Sequence, residues 1–472
     1  MERDKYLVKN VLLFSLNEIG TRLITFFLVP IYTTALSTWE YGITDLVTKI
    51  INLLVPIVTL NIRESIMRFC LDKEADYNRI MSIGLLSIIP EIFISLLVFP
   101  IIGFFPELYN YRNMIFICCV TNGFFQLFSS YLRGKEELKG FAACNILHIF
   151  LISICNIFFL LVFKMGVKGY FLSFIISDLV ASFISVIVGH VVIVIRHFSI
   201  DTSLLRSMLK FSLPMIPNSV SWWVMNYMDS TMITKMIGSA ANGIYAVSYK
   251  LPTIVSVMSN VFNRAWTFSA IKEDSSLDKQ DYNNKTFSSF VSFQVLVAAF
   301  LLLIIKPFTP FYVRKEAYFD SWKYAPYLII GNFFLSIAAF LSTYYAVNKD
   351  SKGYLYSGAV GAIANVTLNS ILIPKIGLYG AALSTAVSYL CVLVYSIFDT
   401  KKYITLEFVT SKRLLSCGLL LVMFTIMYLN IRYEIFVLFV FFIIIVILEK
   451  DIIIFFLKIL YNILIKRTKR FF

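Results

Sequence analysis

The sequence predicts an all-α polytopic membrane protein with about fourteen transmembrane helices. Of its 472 residues, 59% are hydrophobic and only 15% are charged, whereas soluble domains average about 25% charged residues. Apolar stretches of about 20 residues, the length that a helix needs to cross a bilayer, recur along the whole chain. These stretches are continuous and not alternating, which excludes an outer-membrane barrel, so each of them must be a helix.

The predicted spans follow one another with short connecting loops. The sequence begins with MERDKYLVKN, which is too polar to form the apolar region of a removable signal peptide. With an error of several residues at each end, we place the spans near residues 9–34, 41–62, 80–103, 112–132, 141–163, 169–195, 212–235, 243–265, 287–305, 324–346, 354–373, 378–398, 413–430 and 433–450.

The net charge of +14 is distributed unevenly between the loops. If the N-terminus lies in the cytoplasm, lysine and arginine on the cytoplasmic side outnumber those on the opposite side by about three to one. This pattern predicts that both termini are cytoplasmic, which requires an even number of spans. Because the basic residues follow the membrane topology, they do not indicate binding to nucleic acid. The basic tail at 466–470 is expected to contact anionic membrane lipids.

Two short internal repeats divide the chain into halves. A shift of 201 residues pairs Asn17 with Asn218, Gly42 with Gly243, Lys49 with Lys250 and Arg63 with Arg264. A shift of 211 residues pairs the motif G-x-x-G-x-x-L-S-x-x-x-S at 166–177 with its copy at 377–388. Internal repeats are typical of transporters. Since each half holds an even number of spans, we expect two parallel six-helix lobes related by a pseudo-two-fold axis normal to the membrane.

The predicted domains follow from this repeat. Residues 1–200 form the N-lobe, residues 201–400 form the C-lobe, and residues 401–472 add two further helices and the basic cytoplasmic tail. Between the lobes, residues 196–212 are expected to form a short interfacial helix that Asp201, Thr202 or Ser203 caps. The glycines and serines of the second repeat are expected to let helices approach closely.

Three cations lie within predicted spans, where ionisable groups are costly and usually face a cavity or a partner. Arg22, Lys49 and Lys250 belong to the first, second and eighth spans and could line a central cavity. A pyrophosphate group requires fixed positive charge of this kind. The alternative is pairing with a nearby acid: Glu18 and Asp45 precede Arg22 and Lys49 by four residues, whereas Lys250 has no acid at that spacing.

Two asparagines within spans are further candidates for substrate binding. Asn17 and Asn218 could hydrogen-bond the hydroxyl groups of a sugar. The alternative is an interhelical hydrogen bond, which is the commoner use of asparagine in membranes.

Five acids also lie within predicted spans: Glu18, Asp45, Glu91, Asp178 and Asp229. Any of them could bind a coupling proton or sodium ion, or could instead pair with a neighbour. We take Glu18, Asp178 and Asp229 as the candidates for ion coupling.

The sequence predicts neither a metal site nor a cofactor. Six of the seven cysteines lie in apolar runs, and His148 and His190 are isolated within spans, so no spacing matches a metal site. No glycine-rich phosphate loop is present. An enzyme such as a glycan polymerase or a glycosyltransferase would need a catalytic constellation, usually on a sizeable loop, and the loops here are short. These observations argue against an enzyme.

Three segments resemble the polysaccharide-repeat flippases of the multidrug/oligosaccharidyl-lipid/polysaccharide exporter superfamily. They are PIYTTALSTWEYGITDLV near the start, LLRSMLKFSLPMIPNSVSWWVMNYMDSTMITKMIGSAANGIYAVSYKLP in the middle, and LNSILIPKIGLYGAALSTAVSYL at 368–390. The resemblance implies a MATE-like fold of two six-helix lobes and two extra C-terminal helices. It also implies that an undecaprenyl-pyrophosphate-linked sugar unit is carried outward across the bacterial inner membrane by alternating access.

The resemblance has further implications for the site and its partners. Arg22, Lys49 and Lys250 match the cationic cavity that receives the head group in relatives, and an ion gradient would drive the cycle. The transport unit would be a monomer that works with a glycan polymerase and chain-length machinery in O-antigen, capsule or exopolysaccharide synthesis.

Two alternatives share this fold. A lipid II flippase would have a similarly cationic cavity, and the sequence leaves it open. An ion-coupled multidrug antiporter would favour acids and aromatic residues for its cationic cargo, and the cations of the first, second and eighth spans argue against it.

Overall fold

The computed structural model describes residues 24–454 except 73, 103–105, 273–278, 349, 408–409 and 430. Within this part of the chain the secondary structure is helical and contains no strand. Nine of the helices described there are long and apolar enough to cross a membrane. The predicted all-α polytopic membrane fold is therefore confirmed, while the total of fourteen spans stays a prediction.

The helices, in chain order, are α1 (whose described part is Ile24–Ala35), α2 (Thr38–Val58), α3 (Ile62–Cys70), α4 (Tyr77–Leu86), α5 (Ile88–Ile102), α6 (Arg112–Gly134), α7 (Leu138–Asn156), α8 (Gly166–Val188), α9 (Val191–Arg196), α10 (Thr202–Ser212), α11 (Met215–Met236), α12 (Ser239–Ser248), α13 (Thr253–Lys272), α14 (Lys279–Tyr312), α15 (Ala325–Val347), α16 (Ser351–Ile376), α17 (Leu378–Thr400), α18 (Ser411–Ile426) and α19 (Glu434–Leu448). A π-helical turn, Ile157–Val162, extends α7, and 3₁₀ turns cover Tyr109–Tyr111 and Glu316–Lys323.

Packing divides the chain into two compact units. The first contains the described residues up to Val247 and the segment Tyr312–Tyr318, and the second contains the rest. In the first unit, α2 packs against α5, α6, α8 and α11, and α8 also packs against α6 and α7. In the second unit, α15 packs against α13 and α17, and α17 packs against α16. The predicted lobes at 1–200 and 201–400 follow the sequence repeat and stay a prediction.

Side chains that satisfy free backbone N–H groups fix the starts of α2, α4 and α10 in the first unit. Ser37 and Glu40 form a capping box at the start of α2, with Ser37 N–H donating to Glu40 Oε2 at 2.8 Å. Asp201 caps α10 by accepting hydrogen bonds from the N–H groups of Ser203 and Leu204. The predicted helix between the halves is thereby confirmed, and its Met208 carbonyl accepts a hydrogen bond from Ser65 of α3 at 2.6 Å.

The predicted eighth span, 243–265, is not one continuous helix. α12 ends at Ser248, residues 249–252 form turns, and α13 begins at Thr253. Pro252 has no N–H to donate to a helical hydrogen bond, and the Thr253 hydroxyl instead donates to the Lys250 carbonyl at 2.6 Å. The prediction of an unbroken helix is wrong here. The hydropathy of a segment indicates that it lies in the membrane, but it does not show where the helix is interrupted.

The glycines of the second repeat lie at two tight helix junctions. Gly166 and Gly377 have φ angles of +58° and +60°, which residues with a side chain rarely adopt. A Cβ atom on Gly169 would lie 2.9 Å from Phe159 Cβ, and one on Gly380 would lie 2.4 Å from the Leu372 carbonyl oxygen. Both contacts are with the helical segment that precedes the junction. The motif therefore specifies a close helix reversal in both copies, as its small residues predict.

Candidate functional site

Lys49 lies in the middle of α2, and its Nζ atom contacts three neighbours, one of which is the Tyr227 ring, whose centroid is 5.9 Å away. Its Nζ is 2.6 Å from Asp45 Oδ2, one helical turn earlier, and it donates a second hydrogen bond to Ser230 Oγ of α11. The Lys49 side chain keeps 18% of its surface exposed. Lys49 thus has the acidic partner that the sequence offered as an alternative, and it also remains accessible.

Asp45 connects Lys49 to two further helices. Its Oδ2 atom accepts hydrogen bonds from Ser230 Oγ and Asn242 Nδ2, each at 3.3 Å. Trp223 of α11 donates its indole N–H to the Lys49 carbonyl at 2.6 Å. We call Asp45, Lys49, Trp223, Ser230 and Asn242 the α2 polar cluster. It joins α2, α11 and α12 through polar contacts that lipid cannot replace.

The cluster lies beside a close contact between α2 and α12. A Cβ atom on Gly42 would be 1.7 Å from the Ser239 carbonyl oxygen, and one on Gly243 would be 2.0 Å from the Thr38 carbonyl oxygen. Asn242 donates to the Gly42 carbonyl at 2.9 Å, so a hydrogen bond stabilises the same contact. Gly42 and Gly243 are the pair that the 201-residue repeat aligned, and α2 and α12 meet at these two residues.

Lys250, the repeat partner of Lys49, is partly buried in the turn between α12 and α13. A helix that is broken at membrane depth leaves backbone carbonyl and N–H groups without their usual partners, and such breaks occur where protein or a cavity surrounds them. Lys250 therefore lies at an interruption of its span, whereas Lys49 lies on a regular helix.

Of the other predicted site residues, Asn17, Glu18 and Arg22 lie outside the described residues. Asn218 belongs to α11, but its side chain is outside the described part of the structure. Asp229 is buried in α11 and accepts a hydrogen bond from Tyr245 of α12 at 3.0 Å. This hydrogen bond joins α11 to α12.

Asp178 is buried in the middle of α8 and accepts three hydrogen bonds from other helices. His148 Nε2 of α7 lies 2.8 Å from its Oδ1 atom, and Asn122 Nδ2 of α6 donates to the same oxygen at 3.4 Å. Thr121 donates to Oδ2 at 3.3 Å. The expectation that His148 is isolated is therefore wrong, because the packing of the consecutive helices α7 and α8 brings it to an acid 30 residues away.

Glu91 of α5 is a second buried acid in this unit, with 2% of its surface exposed. Its Oε1 atom has no hydrogen-bond partner among the described residues. A Cβ atom on Gly123 of α6 would lie 1.9 Å from that oxygen, so the absence of a side chain at Gly123 makes room for the carboxyl group.

The described residues contain no group of three or more His, Cys, Asp or Glu side chains that could hold a metal ion. The polar contacts of Lys49 and of Asp178 are instead pairs and hydrogen-bonded chains. Lys49 presents a cation that can donate charge-assisted hydrogen bonds, and Asp178 presents a carboxyl group beside an imidazole.

The arrangement of the helices is that of a known class of membrane proteins. A structure of the lipid II flippase MurJ in an inward closed conformation is similar, with a TM-score of 0.70 and 15% identity; the match covers 96% of this chain and 100% of that one. An inward-facing MATE family transporter of the MOP superfamily has a TM-score of 0.63 and 13% identity, covering 81% and 97%. A MOP superfamily transporter from Pyrococcus furiosus has a TM-score of 0.54 and 14% identity, covering 84% and 95%. The chain is thus a multi-pass membrane protein with the MurJ- and MATE-like fold.

The sequence itself assigns the family. Residues 7–273, more than half of the chain, match the polysaccharide biosynthesis protein family, and the chain belongs to this family. A comparison with curated protein sequences finds no match. The resemblance drawn from the three sequence segments is confirmed.

Proposed function

We propose that the protein is a flippase that moves an undecaprenyl-pyrophosphate-linked oligosaccharide from the cytoplasmic to the outer leaflet of the bacterial inner membrane. Membership of the polysaccharide biosynthesis family supports a glycan substrate, and the fold supports transport. The cargo would be a repeat unit of O-antigen, capsule or exopolysaccharide. The protein would act without a cofactor and without catalysing a reaction, as a monomer that supplies a glycan polymerase and chain-length machinery.

The observation that carries this proposal is that the Lys49 side chain remains partly exposed although it pairs with Asp45. An ammonium group has three N–H donors, and among the described residues two acceptors, Asp45 and Ser230, are found for it. The ammonium group also faces the Tyr227 ring, and the exposed 18% of the side chain gives an anionic oxygen access to it. A diphosphate bound there would gain a charge-assisted hydrogen bond in a low-dielectric setting. Lys250, Asn17, Asn218 and Arg22 remain candidate substrate-binding residues from the sequence.

Deleting the gene from the producing strain is expected to abolish surface polysaccharide and to cause lipid-linked repeat units to accumulate inside the cell. Complementation with the wild type should restore export, whereas Lys250→Glu should not, because a carboxylate at this position repels the diphosphate. Surface glycan and lipid-linked intermediates would be quantified in parallel.

The matched control is Lys235→Glu, which reverses an exposed lysine near the end of α11 and should export normally. Unchanged surface glycan in the deletion strain, with new sensitivity to cationic drugs, would favour a multidrug antiporter. Rescue of a strain depleted of its lipid II flippase would favour lipid II as the cargo.

The proposed orientation places both termini in the cytoplasm. Single cysteines are introduced into a chain without reactive native cysteines. Those at residues 36–40, around the start of α2, should react with a membrane-impermeant reagent, whereas those at residues 72–78 should react only after the membrane is permeabilised. The reverse pattern would overturn the orientation but leave the fold unaffected.

A further inference from the structure

The first unit contains a second polar site that the proposed diphosphate contact does not use. Asp178 is 1% exposed in its side chain and His148 is 12% exposed, and their 2.8 Å contact lies in the middle of α7 and α8. A carboxylate and an imidazole that share a hydrogen bond inside a membrane are costly to maintain. Phe125 of α6 stacks on the imidazole with ring centroids 4.1 Å apart, which fixes the orientation of His148.

The pair is the end of a continuous chain of polar side chains. Asn122 donates to Asp178 at 3.4 Å, and Gln126, one turn further along α6, donates to Asn122 Oδ1 at 2.6 Å. Arg63, at the start of α3, donates to Gln126 Oε1. The hydrogen-bonded chain therefore links the Asp178–His148 pair to Arg63, which lies at the end of the span predicted to face the cytoplasm.

A small cavity of about 50 Å³ opens onto this chain. This space is large enough for a few water molecules, since one water needs about 10–15 Å³. Its polar lining comes from Asp178, Asn122, and Thr48 and Asn52 of α2, and its other lining residues are Ile51, Cys118, Phe171 and Phe174. Water in such a cavity would connect the buried carboxylate to the groups on α2.

We propose that Asp178 and His148 together form the proton-binding site that couples transport to a proton gradient. This inference rests on the proposed function as a flippase. When a proton binds, His148 becomes an imidazolium and the pair is neutral. When the proton leaves, the neutral imidazole still donates one N–H to the carboxylate and the pair carries one negative charge. The hydrogen bond is kept in both states, while the charge felt by Asn122 changes.

The surroundings of Asp178 favour a proton over a sodium ion. One carboxylate oxygen already accepts hydrogen bonds from His148 and Asn122, and hard cations require several oxygen ligands. The titratable group that faces Asp178 from α7 is His148, and the one from α6 is Cys118. The residues of α2 that line the cavity with polar side chains are Thr48 and Asn52, and both are neutral. The hydroxyl groups of Thr48 and Tyr170 of α8 share a hydrogen bond of 3.3 Å.

The test uses the purified full-length chain in proteoliposomes that contain a pH-sensitive dye and lipid-linked repeat units from the producing strain. In the wild type, movement of the lipid-linked repeat should be accompanied by proton movement and should respond to an imposed pH gradient. Asp178→Asn and His148→Gln should move the lipid without proton movement and should not respond to the gradient. His190→Gln, a histidine outside the pair, should behave like the wild type.

A direct measurement guards against variants that fail to fold. The chain has three histidines, so magnetic resonance signals of isotope-labelled histidine can be assigned with single substitutions. In the wild-type chain in lipid nanodiscs, the His148 signal should change when the pH of the surrounding buffer is changed, because the pair binds the exchanging proton. A His148 signal that does not respond to pH would overturn the proposal.

Two further outcomes separate this inference from the proposed function. Lipid movement in the wild type that follows a sodium gradient and ignores the pH gradient would overturn the proton-binding site and leave the flippase intact. A wild-type chain that moves no lipid-linked repeat would overturn the proposed function, and the His148 signal would then decide on its own whether the pair binds a proton.

Discussion

Replacing Gly42 by alanine is expected to destabilise the first unit by on the order of 3 kcal/mol. The new Cβ atom would lie 1.7 Å from the Ser239 carbonyl oxygen and 2.9 Å from the Gly243 nitrogen, so the backbones of α2 and α12 would have to separate. Separation would also break the 2.9 Å hydrogen bond from Asn242 to the Gly42 carbonyl. Thermal unfolding of the purified chain and its yield from membranes would measure the loss.

The control for this substitution is Gly358→Ala in α16, where no described atom beyond the adjacent backbone of the same helix lies within 4 Å of the new Cβ atom. Gly358→Ala should unfold at the temperature of the wild type. Gly243→Ala should destabilise the protein as much as Gly42→Ala. The double variant should lose less stability than the two single variants lose together, because both substitutions disturb the same contact. Equal unfolding temperatures for Gly42→Ala and Gly358→Ala would contradict the close helix contact.

Reversing the charge of Lys49 is expected to eliminate export. Lys49→Glu removes the cation and places a carboxylate one turn from Asp45, within the 2.6 Å contact that Lys49 now makes. Two carboxylates one turn apart on a helix repel each other, so the variant loses the ion pair as well as the cation. Surface polysaccharide, measured against the amount of protein in the membrane, would report the effect.

Exchanging the two charges distinguishes a structural role from a substrate role. The double variant Asp45→Lys/Lys49→Asp restores an ion pair between α2 positions one turn apart but moves the ammonium group. If Lys49 contacts the substrate, this variant should reach the membrane in normal amounts and still fail to export. Export restored by the exchange would show that only the pairing matters and would contradict diphosphate binding at Lys49.

The sequence alone determined the environment and the general architecture of the protein. Continuous apolar runs require helices in a bilayer whatever the fold, so the all-helical membrane class was predictable from composition. The 201-residue repeat also paired Gly42 with Gly243, and those two glycines contact each other in the structure. This succeeded because a close helix contact permits only small residues, and the restriction is visible at both positions.

Only the tertiary structure decided which polar groups meet. Asp45 was predictable as a partner of Lys49 because both lie on one helix, but Ser230 and Asn242 come from α11 and α12. His148 looked isolated, yet it lies 2.8 Å from Asp178 on the neighbouring helix.

The physical reason is that hydropathy and spacing describe each helix by itself. The order of helices in the membrane plane and their rotation about their own axes depend on packing between helices, which a single sequence does not display. The break before Thr253 has a similar cause. Proline permits an interruption at that point but does not require it, and the neighbouring helices decide whether the chain bends or continues.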